Sequence, residues 1–150
     1  MAFPDRIERT LDLAHPPERV WAALTSADGL GTWFGNRAEV DLRVGGQATL
    51  GWDSGDSAVL TIERVEPPHV FAYTWPIYGL ADADPRRTYV EFTLVPNGAG
   101  TTLTMVETGF GQLGEDEHKA AFRGNTDGWT NELHELCTYL DGRATDDGTA

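Results

Sequence analysis

The residue whose type and place most suggest chemistry is Glu107. It follows Leu103 and Met105 at intervals of two along one strand, so all three share a face of the sheet. If Leu103 and Met105 point inward, Glu107 does too. A carboxylate in an apolar pocket has a raised pKa and can act as a general acid or base. The competing reading, given somewhat more weight, ends the strand first and leaves Glu107 in water at the rim. Tyr78, in the longest loop of the strand region, could gate the pocket mouth and assist Glu107, as could Tyr89. Exposed loop aromatics are also often incidental. Glu91 alternates with Val90 and Phe92 and reads as an outer-face carboxylate. Arg86 and Arg87 could hold an anionic head group, although pairing with Asp82 and Asp84 is the plainer expectation.

Other chemistries find no support. The four histidines, His15, His69, His118 and His134, have no metal-ligand spacing, and the single cysteine, Cys137, adds none. His118 and His134 stand about 24 Å apart if they share a helix, too far for one site. There is no nucleophile elbow and no phosphate-binding glycine loop; Gly45-Gly46 reads as a turn. No metal and no cofactor are expected. Cys137 beside Leu136 reads as a buried, inert thiol.

The aromatic residues suggest binding rather than reaction. Five tryptophans in 150 residues is a high count. Trp33, Trp52, Trp75 and Trp129 fall on segments that would face one interior. Each alone is best read as core. Together they suggest a roomy, aromatic-lined cavity, with Tyr89, Met105, Phe110 and Leu133 as further lining.

The elements that must position these residues follow from periodicity and turn signals. Residues 6–13 read as a strand with one polar face. Pro16-Pro17 marks a helix start, with Val20, Trp21 and Leu24 at helical spacing. Ser26-Ala27-Asp28 reads as a cap and restart, giving a second short helix that ends near Trp33-Phe34-Gly35. Strands are expected over residues 38–42, 47–52, 58–65, 70–75, 89–95 and 101–107, joined by short glycine, proline and asparagine turns. From Gly114 the period is helical: Phe122, Trp129, Leu133, Leu136 and Leu140 form one stripe. Gly124 and Gly128 suggest a bend or a close backbone approach, and Gly142 a helix stop. The fold class is therefore α+β: a curved antiparallel sheet of about six to seven strands, two short helices after strand 1, and a long C-terminal helix closing an apolar cavity. This is the helix-grip (START-like, Bet v-like) architecture. Residues 1–142 form one such domain and residues 143–150 a flexible tail.

Composition sets the partners. The net charge of -13 argues against nucleic acid and against an anionic membrane surface. No apolar run reaches the ~20 residues of a membrane span, and the N-terminus has no signal-peptide pattern. A cytoplasmic, soluble, acidic protein is expected.

Six segments resemble one family in its order. Residues 16–25 look like its first helix, Trp33-Phe34-Gly35 like its helix-end aromatic pair, and residues 41–46 like its glycine turn. Residues 62–68 with Tyr73-Thr74-Trp75 resemble its central hairpin, and residues 100–105 its last hairpin. Gly128-Trp129 with Leu133, Leu136 and Leu140 resembles its closing helix. The family is the Aha-type domain, named for the activator of the Hsp90 ATPase, within the START and polyketide-cyclase-like (SRPBCC) superfamily. The resemblance implies an apolar cavity and no shared catalytic motif. Relatives commonly carry histidine where this chain has Glu107. The superfamily includes lipid and hormone binders, cyclases, aromatases and co-chaperones. The eukaryotic activator carries a separate chaperone-binding domain that no segment here matches, which weighs against a chaperone partner.

The expected function is therefore binding of a small hydrophobic or aromatic ligand, as a carrier or sensor. The alternatives are a cyclase, dehydratase or hydrolase using Glu107, and a stress-response or chaperone-regulating partner protein. An exposed apolar edge strand could also support a homodimer.

Overall fold

The computed structural model describes residues 5–77 and 84–148, with side chains through residue 142. Strand β1 (Arg6–Leu13) leads to helix α1 (Pro17–Thr25), in which Pro17 takes the first helical position. Proline costs nothing there, because that N–H has no partner in any helix. Ser26 then caps the next helix, its Oγ accepting from Gly29 N at 2.9 Å. Helix α2 (Ala27–Gly29) runs directly into a π-helical turn, Leu30–Phe34.

Six further strands follow: β2 (Arg37–Val40), β3 (Gln47–Gly51), β4 (Ser57–Glu66), β5 (Val70–Pro76), β6 (Arg87–Asn97) and β7 (Gly100–Thr108). They form one seven-stranded sheet in the order β1-β7-β6-β5-β4-β3-β2, antiparallel throughout. A shift of register between Ile62 and Arg64 interrupts the β4–β5 ladder; such bulges bend and twist a strand. The β6–β7 hairpin closes on Gly98-Ala99, and Gly98 has φ 60°, a value that glycine adopts without steric cost.

After a 3-10 turn at Phe110–Gln112 comes helix α3 (Glu115–Gly148). Glu115, Asp116 and Glu117 fill its first turn, where the helix dipole favours negative charge. Trp129, Leu133, Leu136 and Leu140 are buried. Burying one such leucine is worth about 1.5–3 kcal/mol, so this stripe holds α3 across the sheet.

Three expectations need correction here. Gly142 does not stop α3, which continues to Gly148 through the first part of the expected tail. Glycine inside a helix costs only about 1 kcal/mol against alanine, and the buried stripe just before it outweighs that. Gly128 makes no close approach either: the space beside its Cα is open. Finally, β6 and β7 run one or two residues further at each end than the alternation suggested, because their ladder stays paired from Tyr89–Thr108 to Asn97–Gly100.

Candidate functional site

Strand β7 alternates strictly. Thr101, Leu103, Met105 and Glu107 are buried, and the residues between them are half-buried. Glu107 is therefore not at the rim; its exposure is 0%. The strand does not end before it, because Ile7 on β1 and Val90 on β6 flank it in register.

The surroundings of Glu107 are not a bare apolar pocket. Trp75 Nε1 donates to Oε2 at 2.8 Å and Thr88 Oγ1 to the same oxygen at 2.5 Å. Trp129 Nε1 donates to Oε1 at 2.9 Å, and Asn125 Nδ2 reaches both oxygens at 3.0 Å. A carboxylate offers about four lone-pair positions, so these five hydrogen bonds use up both oxygens. The donors come from β5, β6 and α3. Asn125 and Trp129 lie one helical turn apart, on the face of α3 turned to the sheet. Glu107 thus ties three strands to the closing helix.

Around this knot the aromatic rings touch one another. Phe34 lies 5.7 Å from Trp75, 5.9 Å from Trp129 and 6.3 Å from Trp52, centroid to centroid. Trp75 and Trp129 are 5.7 Å apart. The tryptophans expected to line a roomy cavity pack around Phe34 among the described residues, and their N–H groups are engaged. Trp33 Nε1 donates to Ala23 O at 2.7 Å and Trp52 Nε1 to Phe34 O at 3.1 Å. A surface groove of about 460 Å³ lies beside the β2–β3 connection. Glu39, Asp41, Arg43 and Gln47 are among its lining residues, so it is polar and lies away from Glu107.

The other expected site residues separate. Met105 is buried opposite Phe92, and Leu133 is buried one turn beyond Trp129. Phe110 is buried in the same core, where it is stacked on His118 at 6.2 Å and edge-on to Phe122 at 5.6 Å. Tyr89 belongs to the outer face, which corrects its assignment to the lining. Its neighbours Thr88 and Val90 are the inward residues, and its hydroxyl donates to Glu91 at 2.8 Å. Burial, then this bond, pushes the Tyr89 phenol up to about 12. Tyr78 lies outside the described residues. Arg86 pairs with Asp84 at 2.7 Å and with Glu117 at 3.1 Å, tying the approach to β6 to the start of α3. Its hydrogen bonds lower the Asp84 carboxyl to about 2. Among the described residues no group of three or more His, Cys, Asp or Glu could hold a metal ion.

Four residues of this interior escaped the sequence reading: Thr88, Asn125, Tyr73 and Glu132. Asn125 carried a signal, a polar residue four before Trp129 on an otherwise apolar stripe. Tyr73 is buried, and its hydroxyl has no hydrogen-bond partner among the described residues; the same is true of Glu132 Oε2. Burial, then the charges of Glu107 and Glu132, raises the Tyr73 phenol well above its ordinary value, so it stays a neutral donor.

Burial, then the neighbouring Glu135, raises the Glu132 carboxyl from 4.5 to about 7. Between those values the folded chain holds a proton that the unfolded chain has released, so stability falls as the pH rises through this window. Glu132 is half-buried, and solvent screening trims the effect to roughly 1–2 kcal/mol. Glu132→Gln should therefore match the parent at pH 4.5 and exceed it by about that amount at pH 8 in urea unfolding. An unchanged slope against pH would refute the assignment.

A curved antiparallel sheet closed by one long helix over an aromatic interior defines a helix-grip protein, the fold of ligand-binding and polyketide-cyclase-like domains. The model of the activator of Hsp90 ATPase homolog 1-like family matches residues 14–141, and the chain belongs to that family. Protein MLL2253 from Mesorhizobium loti is 29% identical, with a TM-score of 0.77 over 91% of this chain and 96% of that one. CalU16 from Micromonospora echinospora is 27% identical, with a TM-score of 0.69 over 91% of this chain and 74% of that one. The Aha1 dimer from Colwellia psychrerythraea shares the fold, at 17% identity and a TM-score of 0.73 over 90% of this chain and 95% of that one. Among curated proteins, none matches the chain. No helix among the described residues is long and apolar enough to cross a membrane.

Proposed function

We propose that this protein binds a small apolar or aromatic molecule between the sheet and α3, and that it does so without acid–base chemistry. The observation that carries this reading is the set of five hydrogen bonds on Glu107. A general acid or base must reach the proton it moves, and here a substrate would first have to displace a donor. With the carboxylate engaged, the interior offers mainly aromatic surface, and ligand sites are mostly apolar with a few placed polar groups. Phe34, which touches the four tryptophans Trp33, Trp52, Trp75 and Trp129, is the ring best placed to swing aside and admit a ligand.

A chaperone-partner role rests on the family's name alone. A homodimer like that of the Colwellia protein is a separate property, readable by light scattering. Native mass spectrometry of the protein purified from its own host tests the binding reading. A small molecule retained at low activation and released on unfolding is the expected result. The mass of the bare polypeptide under the gentlest conditions would count against it.

A further inference from the structure

Two buried oxygens inside the grip have no partner among the described residues, the Tyr73 hydroxyl and Glu132 Oε2. The first belongs to the aromatic cluster. The Tyr73 ring lies 5.4 Å from Trp75 and 6.4 Å from Phe92, and each of those rings touches Trp129, at 5.7 and 5.9 Å. Glu132 stands three residues beyond Trp129, on the same side of α3. It is also close enough for its charge to act on the Tyr73 hydroxyl. Phenylalanine at position 73 would fill the same space and leave no orphan. Buried polar atoms almost always find a partner, so an exception calls for an explanation.

Resting on the binding reading above, we infer that the ligand is an aromatic or apolar molecule carrying a hydroxyl group, which accepts from Tyr73 and donates to Glu132. A hydroxyl can do both through one oxygen. A ketone would serve Tyr73 alone. A carboxylate would face the charges of Glu107 and Glu132. An ordered water could also bridge the two oxygens, and the test separates it from a ligand.

The probes are 2-naphthol and naphthalene, which share a ring system and differ by one hydroxyl. Each is titrated into the whole protein while the indole N–H signals of Trp75 and Trp129 are followed by NMR. The parent should bind 2-naphthol about tenfold more tightly than naphthalene, the equivalent of one good hydrogen bond. Tyr73→Phe should remove that preference, leave naphthalene unchanged, and keep or raise the thermal midpoint. Equal binding of the two probes by the parent would overturn the inference and leave the binding reading standing, with water on the two oxygens. A preference that survives Tyr73→Phe would overturn it too. If neither probe binds, both the inference and the binding reading fall.

Discussion

Glu107→Gln should lower the thermal midpoint by roughly 6–12 °C, because the side chain that joins the sheet to α3 loses its charge and half its acceptors. The new amide would place an N–H₂ group against Trp75, Thr88, Trp129 or Asn125, all of which now donate to Glu107. Hydrogen bonds to a charged group contribute about 1.5–3 kcal/mol each, and a buried donor left without an acceptor costs about 1–3 kcal/mol. Glutamine keeps one acceptor oxygen, so a net loss of about 3 kcal/mol is expected rather than the sum. Asn125→Ala should destabilise through the same knot. The double variant should therefore lose clearly less than the two single losses added, as residues in one network do. Urea unfolding of the four proteins checks this. A Glu107→Gln chain as stable as the parent would mean that the carboxylate is not the anchor and is free for chemistry.

Gly29→Ala should cost about 3 kcal/mol, the upper part of the range for overpacking. The added Cβ would stand 2.5 Å from Ala23 O and 2.8 Å from Ala23 Cα. Both are backbone atoms and cannot rotate away. Ala23 O also accepts the Trp33 indole N–H at 2.7 Å, so pushing α2 off α1 strains that bond and shifts the π-helical turn carrying Trp33 and Phe34. The near-ultraviolet circular dichroism of the tryptophans should change along with the urea midpoint. Gly128→Ala is the control: its site is open, and removing a mid-helix glycine should stabilise by about 1 kcal/mol. If the two glycine variants behave alike, the close packing of α2 on α1 is not what positions Phe34.

The fold was legible because each strand is bounded by its own turn residues and α3 by its apolar stripe. Ser26 and Pro17 mark helix starts through local geometry, which a sequence displays directly. The inward face of Glu107 was legible from its spacing after Leu103 and Met105. Its partners were not. Trp75 is 32 residues away and Asn125 is 18 residues away, and only the completed sheet with α3 laid across it brings them together. That same non-local closure turned the expected apolar pocket into a set of donors. Tyr89 shows the opposite failure. Alternation with Val90 placed it outside, and its aromatic character outweighed that local rule in the assignment. The room inside the grip was not legible, because the count of aromatic residues indicates how much interior they occupy, whereas their ring contacts depend on the completed fold.

The most direct test is a crystal structure of the protein with whichever aromatic probe binds. The account predicts the probe between the sheet and α3, against Trp75 and Trp129, with Phe34 displaced and the Glu107 hydrogen bonds to Asn125 and Trp129 intact. A probe seated only in the β2–β3 surface groove, or a Glu107 side chain turned from its donors onto the probe, would contradict it.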